Sequence, residues 1–180
     1  MSLDLKQNYF ALFGLPVSYA VDRDVLDQRY RELQRLVHPD RFANAGDQER
    51  RIAMQQATQI NEAYRVLKDT LARGRYLLEL RGHHFDDERN THQDSAFLME
   101  QIELREALAD VRDSQAPFVA LGKIMEQIAA RLGVLECELG DALVQDNIDA
   151  AALTAIQRMQ FFRKLAHEAE ELEADLEDGS

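Results

Sequence analysis

His38, Pro39 and Asp40 place an imidazole, a rigid ring and a carboxylate on consecutive residues within the stretch RYRELQRLVHPDRF. An imidazole oriented by a carboxylate is a familiar general base, and the same pair can instead recognise a charged partner. The catalytic alternative lacks company: no Ser or Cys nucleophile and no oxyanion-type glycine turn accompanies the pair. His83, His84 and His92 lie close together near acidic residues, but without Cys partners or fixed spacing they read as solvated histidines rather than a metal site. Cys137, the only cysteine, sits between Glu136 and Glu138, and acidic neighbours do not activate a thiol, so it reads as a passive helix residue. No cofactor is expected.

The elements that must position the tripeptide are helices. Over Asp22–Val37 the residues Leu26, Tyr30, Leu33 and Val37 recur at helical spacing, with Asp22 as the N-cap. Arg31 and Arg35 fall nearly opposite that stripe. Proline lacks a backbone donor and drives the preceding residue out of the helical region, so His38 ends the helix. A return helix is expected over Asp47–Leu67, burying Ile52, Gln56, Ile60, Ala63 and Leu67 or close neighbours, so the tripeptide lies at the convex tip of a helical hairpin. Before the hairpin, NYFALFGLP forms a short apolar helix closed by Gly14 and Pro16; after it, a helix runs from Thr70 to Arg81.

The stretch GHHFDDERNTHQD has no helical period and reads as a linker over 82–93, between an N-terminal unit 1–81 and a C-terminal unit 94–180. Helices are expected over Asp94–Asp113, Pro117–Val144 and Ile148–Glu177, packed as an antiparallel three-helix bundle. The fold class is therefore all-α. The net charge of −12 is carried unevenly: residues 1–81 hold 13 Lys and Arg against 11 Asp and Glu, and residues 82–180 hold 8 against 22. That balance disfavours nucleic acid as a partner. A lone cysteine excludes an internal disulfide, no apolar run can span a bilayer and no targeting pattern opens the chain, so a cytoplasmic protein is expected.

Residues 8–80 resemble a J domain, the module by which co-chaperones engage DnaK-type chaperones; YFALFGLP, HPDRF and QINEAYRVLKDTLARGRYL carry the resemblance. It implies that His38, Pro39 and Asp40 contact the chaperone and favour ATP hydrolysis there, so the chain itself is not an enzyme. Arg31, Arg35 and Arg41 would steer the approach to an acidic partner surface. Glu32 and Leu36 stand where broad co-chaperones are often basic, which thins the positive face.

The second half is similar to the HscB family, co-chaperones of iron-sulfur cluster assembly, through DSAFLMEQIELREALAD and RMQFFRKL. That resemblance implies capture of the cluster scaffold protein (IscU) and its presentation to the specialised chaperone HscA. On the helical wheel, Phe97, Leu104, Leu108 and Val111 face the core, while Leu98, Met99 and Ile102 lie on the other side next to Glu103, Glu106 and Asp110. Contact of Leu98 or Ile102 with another helix of the bundle is the competing possibility. On the last helix Ile148, Ala155, Met159, Phe162 and Ala166 form the core stripe, and Phe161 points about 100° away with Leu165 nearby. Two adjacent phenylalanines cannot both face one core, so Phe161 is expected to join the scaffold-binding patch, as the family's pattern implies. Two readings compete with this one. A general folding co-chaperone would bind unfolded chains through a larger, less acidic patch, and a hydrolase would need a concave pocket at His38.

Overall fold

The computed structural model describes residues 7–38, 46–83, 94–144 and 149–178. Among them every regular element is helical, and the chain divides into two compact units, 1–83 and 84–180.

The first unit begins with α1 (Tyr9–Leu12), capped by Asn8, whose Oδ1 accepts from the Ala11 amide at 2.9 Å. Gly14 stops it with a φ of +64°, a conformation that other residues enter only at a cost. Phe10 and Phe13 are fully buried, and Tyr9 stacks on Tyr76 with ring centroids 4.4 Å apart. Loss of solvent raises the pKa of both tyrosines above that of free phenols.

Helix α2 (Arg23–Val37) starts where the Asp22 carboxylate accepts from the Asp24 and Val25 amides at 3.0 and 3.1 Å. Leu26 and Val37 are buried and Tyr30 and Leu33 half-buried, as the spacing requires. Helix α3 (Asp47–Lys68) returns antiparallel to α2. The Tyr30 and Tyr64 rings stack at 4.0 Å, the Tyr64 hydroxyl donates to Asp27 at 2.8 Å, and the Tyr30 hydroxyl donates to Asn61 Oδ1 at 2.9 Å. The core face of α3 is Ala53, Gln56, Ile60, Ala63 and Leu67. Ile52, expected in that stripe, is 42% exposed, and its neighbour Ala53 is buried in its place: both positions suit the helical period with Gln56, and packing admits the smaller side chain.

Asp69 closes α3 and opens α4 (Thr70–Leu80), accepting from the Ala72 amide at 2.7 Å. Arg73 is buried in α4; its guanidinium donates to the Leu67 carbonyl and lies 5.1 Å from the Tyr19 ring centroid. The helix ends in a Schellman motif, with Gly82 at φ +91° and the His83 amide donating to the Leu78 carbonyl at 3.0 Å.

The second unit contains α5 (Ser95–Ala109), a 3-10 turn (Asp110–Asp113), α6 (Pro117–Val144) and α7 (Asp149–Asp178). Asp94 caps α5 through the Ala96 and Phe97 amides. The core runs between α6 and α7 through Leu121, Ile128, Leu135 and Leu139 on one side and Ala155, Ile156, Met159 and Phe162 on the other. Leu165 and Ala169 extend this stripe and are buried, whereas Ala166 is only half-buried. The expected pairing of Leu165 with Phe161 on the outer side is therefore corrected: Leu165 lies on the inner face, three residues beyond Phe162. Ile148, expected at the start of the stripe, falls outside the described residues.

Gly133 lies in the exposed face of α6 with helical backbone, and a Cβ placed on it would meet nothing within 4 Å. Gly133→Ala is expected to raise stability by about 0.5–1 kcal/mol, because alanine loses less backbone entropy in a helix interior. Urea unfolding checks this; a lowered midpoint would overturn the expectation.

Candidate functional site

The tripeptide corner is described only as far as His38. The α2 helix stops at Val37, and His38 has φ −58° and ψ 133°, the extended conformation that a following proline imposes. His38 is exposed; Pro39, Asp40 and Arg41 lie outside the described residues. Arg31 and Arg35 are both exposed on α2. Their face is thinned by Glu32, whose carboxylate accepts from Gln28 at 2.9 Å and pairs with Arg29 at 3.1 Å. Those bonds hold the Glu32 carboxyl below its ordinary pKa, so it remains ionised and neutralises Arg29. Leu36 is also exposed, leaving a narrow positive strip rather than a broad one. A shallow cleft of about 580 Å³ in this unit is lined by Tyr9, Met54, Thr58 and Glu62 and does not include His38.

The second unit exposes a different surface. Helix α5 carries apolar residues on opposite sides. Leu108 and Val111 are buried and Phe97 and Leu104 half-buried, while Leu98 is 55%, Met99 56% and Ile102 43% exposed. Neither Leu98 nor Ile102 is covered by a neighbouring helix. Glu103, Glu106 and Asp110 are exposed beside them. A helix that is apolar all round normally lies inside a protein, so the open half of α5 is an apolar strip with an acidic rim that the monomer does not use.

How α5 is held explains why that strip stays outside. Phe97, Phe161 and Phe162 form a triangle: Phe97 meets Phe161 edge-on at 5.6 Å and Phe162 at 6.2 Å, and Phe161 meets Phe162 edge-on at 5.3 Å. Each ring lies under one arginine. Arg158 is 5.2 Å from the Phe97 centroid, Arg105 is 5.4 Å from Phe161 and Arg131 is 5.7 Å from Phe162. Two of these arginines also pair with carboxylates of the α5 segment. Arg131 grips Glu100 through Nε at 2.7 Å and Nη2 at 3.0 Å, and Arg158 reaches Asp94 at 2.6 Å. The Glu100 bonds push the Arg131 pKa above its ordinary value. Arg112 in the 3-10 turn pairs with Asp175 near the end of α7 at 2.6 Å. Aromatic edges and ion pairs thus orient α5 with Phe97 inward and Met99 outward.

Phe161 is a partial correction to the sequence expectation. Phe162 is fully buried and Phe161 is only half-buried, so the two rings do diverge. Yet Phe161 packs against α5 rather than standing free, and reaches the exposed strip through Arg105, which covers its ring and neighbours Ile102 on the helix surface.

Among the described residues no cluster of His, Cys, Asp and Glu could hold a metal ion, and no helix is long and apolar enough to cross a membrane. His84 and His92 fall outside those residues, and Cys137 is exposed on α6.

Comparison with known proteins covers both units. The family model for the DnaJ domain matches residues 8–76, and that for the HSCB C-terminal oligomerisation domain matches residues 93–170. The co-chaperone protein HscB homolog of Pseudoalteromonas atlantica is 44% identical over 95% of this chain and 99% of its own length. That of Cupriavidus taiwanensis is 44% identical over 99% of this chain and 100% of its own. Among solved structures, the chaperone HscB from Vibrio cholerae superposes with a TM-score of 0.85 at 40% identity, covering 94% of this chain and 99% of that one. Human co-chaperone protein HscB superposes with a TM-score of 0.87 at 29% identity, covering 94% and 84%.

Proposed function

Because this chain belongs to the HscB family of non-enzymatic J-domain co-chaperones, we propose that it captures an iron-sulfur scaffold protein of the IscU type and delivers it to an HscA-type chaperone, whose ATPase it stimulates. The observation that carries this reading is the exposed strip Leu98, Met99 and Ile102, rimmed by Glu103, Glu106 and Asp110, on a helix whose opposite side is core. An adaptable Met among charges suits a specific protein interface, and Phe161 supplies the aromatic edge of the same surface.

The division of labour follows from the two units. His38, Pro39 and Asp40 are the residues that would contact the chaperone, and the fixed φ of a proline among them lowers the ordering cost of that contact. Arg31, Arg35 and Arg41 steer it electrostatically, and the narrowness of the positive strip favours one specialised partner over many. Carrying both sites on one chain raises the concentration of scaffold that the chaperone meets, so delivery and hydrolysis are coupled without a new contact. The single, exposed cysteine suits a reducing compartment, the cytoplasm.

Titration of the full chain with purified scaffold, run beside the chaperone's steady-state ATPase, tests the proposal. Saturable one-to-one binding and stimulation by the chain are expected, with a further rise when scaffold is added. Suppression of the aggregation of unrelated unfolded proteins, with no scaffold binding, would assign the chain instead to general folding assistance.

A further inference from the structure

We infer that the surface on α5 does not end at Glu103 but turns into the cleft between α5 and α6, and that this cleft receives a lysine or arginine side chain of the scaffold; the inference rests on the reading of α5 as the scaffold-binding helix. The cleft has a volume of about 540 Å³ and opens between Glu103, Leu104 and Ala107 on α5 and Gln127 and Ala130 on α6. Such a volume is ordinary for a site that takes a side chain with part of its backbone.

Its position follows from helix geometry. Residues three and four apart are neighbours on a helix, so Glu103 adjoins Met99 and Glu106 on the exposed side and Glu100 and Ala107 on the side towards α6. One carboxylate therefore belongs to both the open strip and the lip of the cleft.

The chemistry of the walls selects the occupant. Glu100 and Arg131 also line the cleft, but Arg131 binds both oxygens of the Glu100 carboxylate, so the two charges offset each other and Glu103 carries the remaining one. Glu103 has no hydrogen bond or ion pair among the described residues, and the Gln127 side chain has none either. The cleft therefore offers one solvated carboxylate and one amide carbonyl, neither engaged by a protein partner, above small apolar walls. An anionic insert would be repelled by Glu103, and a purely apolar one would displace its water without replacing those hydrogen bonds. A basic side chain satisfies both demands, its aliphatic stem lying on Leu104, Ala107 and Ala130 and its charged head meeting Glu103 and Gln127. The acidic excess of the second half of the chain acts in the same direction at long range.

The test uses three variants of the full chain, each checked for fold by circular dichroism and thermal unfolding, with scaffold affinity measured by calorimetry. Gln127→Lys puts a positive charge into the cleft without touching the exposed strip and is expected to weaken binding about tenfold, whereas Gln127→Glu is expected to keep or raise affinity. Met99→Ala reports on the strip itself and is also expected to weaken binding. Wild-type affinity for Gln127→Lys together with a loss for Met99→Ala would overturn the cleft and leave the α5 reading standing. Equal losses for Gln127→Lys and Gln127→Glu would show that the amide, not charge, matters and would overturn the basic occupant. If neither Gln127→Lys nor Met99→Ala weakened binding, the α5 reading would fail, and the cleft with it.

Discussion

Asp40→Ala is expected to return the chaperone's ATPase to its unstimulated rate while scaffold affinity stays at the wild-type value. The two effects separate because the residues sit in different compact units, 1–83 and 84–180, each with its own core. The loss should be nearly complete for a physical reason. A carboxylate that pairs with a partner cation inside an interface makes a charge-assisted bond, and removing it leaves that cation desolvated and unpaired, which costs about 2–5 kcal/mol. Removing Arg31 and Arg35 is expected to act on a smaller scale, chiefly on association rate and its salt dependence, because exposed charges are screened within about 8–10 Å. Full stimulation by Asp40→Ala in a steady-state phosphate-release assay would remove the tripeptide from the mechanism.

Much of the architecture is written locally, where a single helix decides the outcome. Asp22 and Asp94 cap α2 and α5 through their own side chains, and proline at 39 forces His38 out of the helix; both follow from nearest-neighbour chemistry. The stripe Leu26, Tyr30, Leu33, Val37 needs only the helical period. The helical period also puts Met99 outside, since Phe97, Leu104, Leu108 and Val111 claim the inward side, but it left contact of Leu98 or Ile102 with another helix open, and only the folded structure leaves both exposed. What periodicity misses is contact between helices. Ile52 and Ala53 differ by one step on the wheel, and only packing against the rest of the unit decides that the smaller residue goes inside. The arginine over each phenylalanine has no sequence signature, because Arg105, Arg131 and Arg158 come from three helices and meet only after folding. The same limit hides the α5–α6 cleft, whose polar wall on α6, Gln127, looks like any exposed glutamine along the chain.

That distinction between exposed and shared residues decides how the proposed scaffold-binding surface should be probed. Phe161→Ala would remove a patch aromatic and also dismantle the triangle with Phe97 and Phe162, so lost affinity would carry a loss of stability that a half-buried ring makes considerable. Leu98, Met99 and Ile102 are free of that ambiguity. Each is exposed, and alanine is the best helix former, so replacing all three should move the unfolding midpoint little. Their combined loss from a desolvated interface is expected to weaken scaffold binding by about a hundredfold or more, the equivalent of roughly 3 kcal/mol. Phe161→Leu then separates the remaining role. If the ring acts in the interface, affinity should fall further than the stability change accounts for; if it only props α5, restoring apolar volume should restore both. Calorimetry on the triple variant is decisive, because retention of wild-type affinity with the strip reduced to alanine would leave no apolar contact on α5 large enough to hold a partner.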